Sequence, residues 1–211
     1  MKSKLRRYTS LPVLLDLLAN QRLTLVSPTL WEDKNDVFLL ERYKEIYGFG
    51  FLGAVCLTQA SETFHHWKVF GSGNSGVCIE FDTAELQRYI LPHSAVKMGV
   101  VHYVKVNDIG DSNRYSVNSL PFYKRLGFSA EEEVRIICGL TDDVDCFNLP
   151  IDPSCIKRVV ASPFLPDPLL GSLQAAIQSI PDCRTLQVDK SRLIESKTWA
   201  RNWKRRLANL P

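Results

Sequence analysis

The sequence predicts an α+β fold that ends in a C-terminal helix. Short apolar runs with strand character are interspersed with amphipathic helical runs along all 211 residues. Few of the predicted strands are separated by a single crossover helix, which argues against a doubly wound parallel sheet. The helices are therefore expected to flank mixed or antiparallel strands.

The chain is expected to form one domain over residues 1–190, with residues 191–211 as a basic C-terminal helix packed on that domain. A chain of 211 residues buries roughly 70% of its unfolded surface, so it needs no disulfide or metal to fold. The hydrophobic content of 45% and the charged content of 23% are those of an ordinary globular protein.

The positive charge is concentrated near the C-terminus. The formal net charge is +3, but Lys190 to Arg206 contains seven Lys or Arg residues and one Glu. That stretch carries +6 and the rest of the chain −3. Such a stretch attracts phosphate groups or simply forms a solvated helix, and the charge alone leaves both interpretations open.

The six cysteines show neither a C-x-x-C pair nor another metal spacing. Cys56, Cys78 and Cys138 lie in apolar runs, where free cysteine packs as a small hydrophobe. His65 and His66 are adjacent and would point apart in a strand, so no metal site is expected. The N-terminus lacks an apolar signal region, and no stretch reaches transmembrane length. We expect a reduced, cytoplasmic protein with no membrane partner.

The N-terminal elements follow from local signals. "LRRYTS" predicts a first strand, after which Ser10 can cap a helix that has Pro12 in its first turn. The helix "LPVLLDLLANQ" carries a stripe with i, i+3, i+4, i+7 spacing, formed by Leu11, Leu14, Leu15 and Leu18. "RLTLVSP" alternates apolar and polar residues, which predicts a strand ending before Pro28. A second helix is expected to run through Tyr47.

Six further strands and three further helices are predicted along the rest of the chain. The apolar runs that predict strands are "GFGFLGAVCLT", "GVCIEFD", "VKMGVVHYV", "EEEVRIICGL" and "CIKRVVASP", and a last short strand is "CRTLQVD". The runs that predict helices are "FYKRLGF", "DPLLGSLQAAIQSI" and "ESKTWARNWKRRL". "GSGNSG" and a polar stretch from Asn107 to Ser119 are expected to form loops.

The run "EEEVRIICGL" places charge at the start of a buried strand. Successive side chains of a strand point to opposite faces, so Glu131, Glu133 and Arg135 share one face while Val134 and Ile136 face the core. A carboxylate at the wall of a cleft could stabilise positive charge on a sugar ring as a glycosidic bond breaks. Alternatively, the glutamates form a solvated strand entrance with an ion pair on one face. The residues alone favour this second interpretation.

The last helix carries an aromatic stripe. Trp199, Trp203 and Leu207 recur every four residues, which is the spacing of one helix face. We expect this stripe to dock the helix onto the domain rather than to stack on nucleobases.

Five blocks, in order, resemble bacterial proteins of the domain-of-unknown-function 2971 family. They are "YTS" before an amphipathic helix, "LTLVSPTLWEDKND", "CLTQASETFHHWKVFGSGNSGVCIEFD", "FYKRLGFSAEEEVRII" and "VDKSRLIE". The matching residues within the second and third blocks are Trp31, Asp33, Asp36, Ser61, Trp67 and Gly76 to Ile79.

A looser resemblance in layout is to ADP-ribosyltransferases. The shared order is a basic or aromatic residue on the first strand, a helix, a Ser ending the next strand, and a late Glu-x-Glu strand. This resemblance implies two small mixed or antiparallel sheets that form a cleft and hold NAD as the substrate. It would make the protein an NAD-dependent ADP-ribosyltransferase-like or NAD glycohydrolase-like effector, such as a toxin or phage-defence protein.

The resemblance also implies roles for individual residues. Glu133 would be the catalytic carboxylate, Glu131 would orient the acceptor, and Ser27 would brace the catalytic group. The residues implied to bind the nucleotide or hold the glutamates are Arg7, Tyr8, Trp67, Lys124 and Arg135. Arg7 or Tyr8 would contact pyrophosphate or ribose, and Trp67 or Tyr8 would stack on nicotinamide.

Two other functions remain open from the sequence. One is a non-catalytic module that binds nucleic acid or protein through the basic C-terminal stretch. The other is a metal-dependent nuclease, in which Asp33, Asp36, Glu131 and Glu133 would supply the oxygen ligands that Mg²⁺ prefers.

Overall fold

The computed structural model describes residues 1–110 and 115–208. Its strands are β1 (Lys4–Ser10), β2 (Arg22–Val26), β3 (Phe51–Thr58), β4 (Gly76–Asp82), β5 (Val96–Val100), β6 (His102–Val104), β7 (Tyr123–Arg125), β8 (Glu133–Leu140), β9 (Cys146–Pro150), β10 (Ile156–Ala161) and β11 (Val188–Lys190). Its α-helices are α1 (Leu11–Asn20), α2 (Lys34–Tyr47), α3 (Phe64–Val69), α4 (Thr83–Ile90), α5 (Leu170–Gln178) and α6 (Lys197–Ala208). Parts of the predicted loop 107–119 and of the predicted C-terminal segment 191–211 lie outside the described residues.

β3 is the central strand of a nine-stranded sheet. One edge of β3 pairs with β8 along its whole length, from Phe51 opposite Leu140 to Thr58 opposite Glu133. β5 extends the sheet beyond β8. The other edge of β3 is shared, because β1 pairs with it at Thr58 and β2 pairs with it at Ala54. The sheet therefore forks at β3.

We call the two branches of the fork the long arm and the short arm. The long arm contains β1, β4, β10 and β11, and the short arm contains β2 and β9. Pairing within the arms is antiparallel except between β10 and β11. β6 and β7 form a separate two-stranded parallel sheet. A large mixed sheet, a small sheet, flanking helices and a C-terminal helix confirm the predicted α+β class.

The main core lies on the face of the sheet that α1 covers. Leu14, Leu17 and Leu18 of α1 are buried there with Val134 and Ile136 of β8. Leu14 and Leu18 of the predicted stripe are thus buried, whereas Leu11 and Leu15 are half-buried and Leu17 takes their place in the core. Full burial of each leucine contributes roughly 1.5–3 kcal/mol. The alternation predicted for the late strand is present in β8.

The opposite face of the sheet is covered in two places. α2 packs Leu40 and Tyr43 against Ala54 and Ile137, on the β3–β8 side of the sheet. α3 packs Trp67 against Tyr8, Cys78 and Val160 of the long arm. The charged residues of β8 and β1 therefore project toward these two helices rather than into the main core.

Three local predictions about secondary structure are wrong. "FYKRLGF" is not a helix, because Tyr123–Arg125 pairs with β6 as β7 and Pro121 lies in the preceding turn. "VKMGVVHYV" is divided at Val101 into two strands that join different sheets. β9, which pairs with β2 along its length, was not predicted at all.

The predicted docking of the C-terminal stripe is not observed. Trp199, Trp203 and Leu207 are 68%, 48% and 57% exposed, and every described residue of α6 is exposed. None of the six cysteines forms a disulfide.

Candidate active site

A row of polar residues crosses five strands on the face opposite the main core. Arg158 of β10 lies opposite Glu80 of β4, which lies opposite Arg6 of β1. Arg6 lies opposite Thr58 of β3, which lies opposite Glu133 of β8. Residues directly opposite one another in neighbouring strands point to the same face. Arg6 and Glu133 are two strand spacings apart, about 10 Å.

The long-arm end of the row is an ion network around Glu80. Glu80 is only 2% exposed and accepts hydrogen bonds from Lys4 (2.9 Å), Arg6 (2.8 Å) and Arg158 (2.6 Å). Burial opposes ionisation of this group, but the three cations together lower the pKa of Glu80 to about 2. Glu80 is therefore ionised at neutral pH and ties three strands of the long arm together.

The other end of the row is a buried cluster of three acids and two bases. Arg135 donates to Glu133 at 2.8 Å and forms a two-bond pair with Asp36 of α2 at 2.8 and 2.7 Å. The Nζ atom of Lys124 lies 2.7 Å from Glu131 and 3.1 Å from Glu133. The side chains of Arg135 and Glu133 are 0% and 3% exposed. We call this set the acid cluster.

Glu131 and Glu133 share Lys124, but their pKa values are displaced in opposite directions. Burial raises the pKa of Glu131, and Lys124 offsets this only in part. Burial also opposes ionisation of Glu133, but Arg135 and Lys124 together hold the pKa of this carboxyl below its usual value. One carboxylate therefore stays charged, while its neighbour takes up a proton more readily. Such divergence is typical of acid–base pairs in enzymes.

Aromatic side chains and a short turn enclose the acid cluster. The hydroxyl of Tyr103 accepts a hydrogen bond from the backbone N–H of Glu133 at 2.8 Å. The Phe128 ring lies 4.9 Å from Lys124 Nζ, within the 3-10 turn Leu126–Glu131. The side chains of Lys124 and Glu131 are 9% and 10% exposed, more than that of Glu133. Lys124 and Glu131 are therefore the least buried members of the acid cluster.

A cavity of about 550 Å³ lies over the long-arm end of the row. It is lined by Arg6, Tyr8, Glu62, Trp67, Cys78, Glu80, Arg158, Val160, Leu170, Gln174, Asp189, Lys190, Ser191 and Arg192. The Tyr8 and Trp67 rings meet edge to face at 4.9 Å, and His66 stacks on Tyr8 at 5.1 Å. The buried Tyr8 hydroxyl has no hydrogen-bond partner among the described residues.

Glu62 is a fixed carboxylate in the wall of this cavity. Its Oε1 atom accepts from Trp67 Nε1 at 2.7 Å and from the Ser191 hydroxyl. Both donors converge on one oxygen, and the hydrogen bonds of the described residues leave Oε2 available as an acceptor. A ribose hydroxyl is the kind of group that such an oxygen binds.

The predicted site residues are divided between these two places. Tyr8 and Trp67 line the cavity, whereas Glu131, Glu133, Lys124 and Arg135 form the acid cluster with Asp36. Their chemical roles stay predictions.

Arg7 and Ser27 belong to neither group. Ser27 lies at the end of β2, and its side chain bonds only locally, with Thr29 at 3.2 Å. Arg7 is half-buried on the core-facing side of β1, and burial lowers its pKa to about 10. No hydrogen bond or ion pair holds its guanidinium among residues 1–110 and 115–208.

The acids of the nuclease hypothesis already have other partners. Asp36 is neutralised by Arg135, and Asp33 caps α2 by accepting from the N–H of Asn35 at 3.0 Å. Within the described part of the chain, no group of three His, Cys, Asp or Glu side chains is arranged to hold a metal ion. Two cations occupy the place between the carboxylates where a metal would bind.

Several residues of the site were not predicted. Alternation in "LRRYTS" places Arg6 and Tyr8 on one strand face, and this signal could have identified Arg6. Glu80 follows the same rule in "GVCIEFD". Glu62 comes from a loop, and its partner Ser191 is 129 residues away, so no local pattern identifies that pair.

Comparisons with known proteins match this chain to solved structures and to one protein-family model. A search of curated proteins found no match. Among solved structures, Thermus sp. 2.9 DarT in complex with NAD+ is similar, with a TM-score of 0.46, 7% identity, and coverage of 90% of this chain and 96% of that chain. Thermus sp. 2.9 DarT in complex with ADP-ribosylated ssDNA gives a TM-score of 0.47, 6% identity, and coverage of 90% and 94%. The model of the protein family of unknown function DUF2971 matches residues 66–136, and this confirms, over that stretch, the family resemblance predicted from the sequence.

Proposed function

We propose that the protein cleaves the bond between nicotinamide and ribose in NAD, as an ADP-ribosyltransferase-like or NAD glycohydrolase-like enzyme. One observation carries the proposal. The cavity, with its two aromatic rings, and the acid cluster lie on the same face of one sheet. The row of polar residues from Arg158 to Glu133 joins the two places. Arg6 in the cavity wall and Glu133 are about 10 Å apart, so an extended dinucleotide could reach both places.

Glu133 is the group suited to stabilise the transition state. As the C1′–N bond breaks, its electron pair goes to the nicotinamide ring nitrogen and positive charge develops on the ribose. A carboxylate held in its charged form by Arg135 and Lys124 stabilises that charge and can accept a hydrogen bond from a ribose hydroxyl. Arg135 and Lys124 thus hold the glutamates in place rather than bind phosphate.

Glu131 is suited to activate the acceptor. An acceptor O–H attacks C1′ and transfers its proton to Glu131, whose raised pKa makes it a stronger base than a free carboxylate. Water as the acceptor gives hydrolysis of NAD, and a hydroxyl or base of another molecule gives ADP-ribosyl transfer. The side chain of Glu133 is only 3% exposed, so the turn Leu126–Glu131 must move to admit the substrate.

The cavity supplies the binding groups. Tyr8 or Trp67 would stack on a base or on nicotinamide, and Glu62 Oε2 would accept from ribose hydroxyls. Arg7 and Ser27 take no part in this proposal, because Arg7 lies on the opposite face of the sheet from the cavity and Ser27, among the described residues, bonds only to Thr29. An enzyme that consumes NAD in this way could act as a toxin or defence effector.

Release of nicotinamide from NAD tests the proposal directly. We expect the parent protein to release nicotinamide and Glu133→Gln to do so at least about 100-fold more slowly, because a preorganised charge is lost. Glu132→Gln is the matched control, since Glu132 is exposed and pairs only with Lys2 at the surface. The mechanism is wrong if Glu133→Gln is as fast as the parent, and NAD is not the substrate if the parent releases nothing.

A further inference from the structure

We propose that α6 is a peripheral membrane anchor that lies on bilayers containing anionic phospholipids. This inference does not depend on the proposed function. No helix among the described residues is long and apolar enough to cross a membrane, so the association would be with the bilayer surface.

The first evidence is an apolar stripe that no described residue covers. Trp199, Trp203 and Leu207 follow one another at four-residue intervals along α6, and all three are about half to two-thirds exposed. The two indole rings contact each other at 5.9 Å and form one continuous surface. Tryptophan in an exposed stripe is typical of helices whose apolar face enters the region between lipid headgroups and acyl chains.

The second evidence is the charge on the rest of the helix. Its cations are Lys197, Arg201, Lys204, Arg205 and Arg206, and it contains no acidic residue. At 100° per residue, Lys197, Arg201 and Lys204 lie roughly 100–160° around the axis from Trp203. Apolar and cationic faces are thus separated, apart from Arg206 beside the stripe. Long basic side chains can bury their stems and extend their charges to lipid phosphates.

This separation distinguishes a lipid surface from the other partners. A nucleic acid bound by the cationic face would leave the two tryptophans in water on the other side. In a bilayer surface, both faces are satisfied at once, because the stripe enters the lipid while the cations reach the headgroups. A second copy of the chain would bring two cationic helices together, which repels.

The attachment point links the helix to the cavity. Lys190, Ser191 and Arg192 line the cavity, and α6 begins five residues after Arg192. Leu193 and Ile194, in the segment between them, are also apolar and are 40% and 50% exposed. A bound α6 would therefore hold the cavity close to the membrane.

Sedimentation with vesicles tests the anchor on the full chain. We expect binding to vesicles of 70% phosphatidylcholine and 30% phosphatidylserine, with at least about tenfold weaker binding to pure phosphatidylcholine and in 0.5 M salt. Tryptophan fluorescence should shift to shorter wavelength on binding. The double variant Trp199→Ser/Trp203→Ser should lose binding about tenfold or more, as should Arg201→Gln/Lys204→Gln.

Phe38→Ser is the matched control, because Phe38 is 65% exposed on another helix. Circular dichroism should show that all variants remain folded, since the substituted side chains are exposed. The proposal is overturned if the parent fails to bind anionic vesicles. Binding to a single-stranded oligonucleotide in its place would identify nucleic acid as the partner. Concentration-dependent dimers abolished by the double tryptophan variant, without vesicle binding, would identify a second copy.

Discussion

Replacement of Arg135 by Met should remove the central cation of the acid cluster. Arg135 is 0% exposed and makes two bonds to Asp36, one to Glu133, and one to the Pro121 carbonyl at 2.8 Å. The substitution keeps most of the side-chain volume but leaves two buried carboxylates, with only Lys124 to compensate. Breaking a buried ion pair by removing one partner costs about 3–5 kcal/mol. That is a large part of the 5–15 kcal/mol that stabilises a typical domain.

Urea denaturation at pH 7 measures this loss. The cost should shrink at lower pH, because protonation removes the unpaired charges of Asp36 and Glu133 from the variant. Adding Asp36→Asn should recover part of the lost stability, which gives a coupling free energy in a double-mutant cycle. Arg42→Met is the control: it breaks an exposed pair with Glu45 and should cost about 0–1 kcal/mol. A loss below about 1 kcal/mol for Arg135→Met would refute the reasoning.

Three further predictions concern stability. The pKa of Glu80 in the folded protein is lowered to about 2, so its contribution to stability is present above pH 4.5 and is lost as the pH falls toward 2. Melting curves of the parent should therefore depend on acid pH more strongly than those of Glu80→Gln. Gly139→Ala would place a Cβ against the Phe49 ring and should lower the free energy of unfolding by about 1–3 kcal/mol. An unchanged free energy would contradict this prediction and would mean that the ring rotates away. Leu14→Ala should lower the free energy of unfolding by about 2–5 kcal/mol in urea denaturation. A smaller loss would mean that α1 moves to fill the space left by the leucine side chain.

The parts of the fold that could be predicted are those with a local period. The leucines of α1 repeat at helical spacing, which predicted the helix and the burial of Leu14 and Leu18 but missed Leu17. The alternation of β8 between Glu133 or Arg135 and the core was predicted correctly. The segment around Tyr123–Arg125 was wrongly predicted to be a helix, because its conformation is imposed by pairing with β6 rather than by its own propensity.

The site could be predicted only in pieces. The sequence indicated Tyr8, Trp67 and Glu133 one at a time as candidates, whose roles stay predictions, but their arrangement depends on register between strands that are far apart in the chain. Arg6 meets Glu80 across 74 residues, and no period in the sequence encodes that pairing. The exposed position of the α6 stripe was also missed, because helical spacing shows which residues share a face but not what that face contacts.

The fork at β3 has a mechanical consequence. The strands that line the cavity all belong to the long arm, whereas Glu133 belongs to β8, and β1 is joined to β3 through the single register pair Arg6–Thr58. The long arm and β8 are also joined through the main core, in which Leu5 and Ile79 of the long arm are buried in one cluster with Val134 and Ile136 of β8. Packing in this shared core, rather than strand pairing alone, therefore sets the distance between the aromatic rings of the cavity and the Glu133 carboxylate.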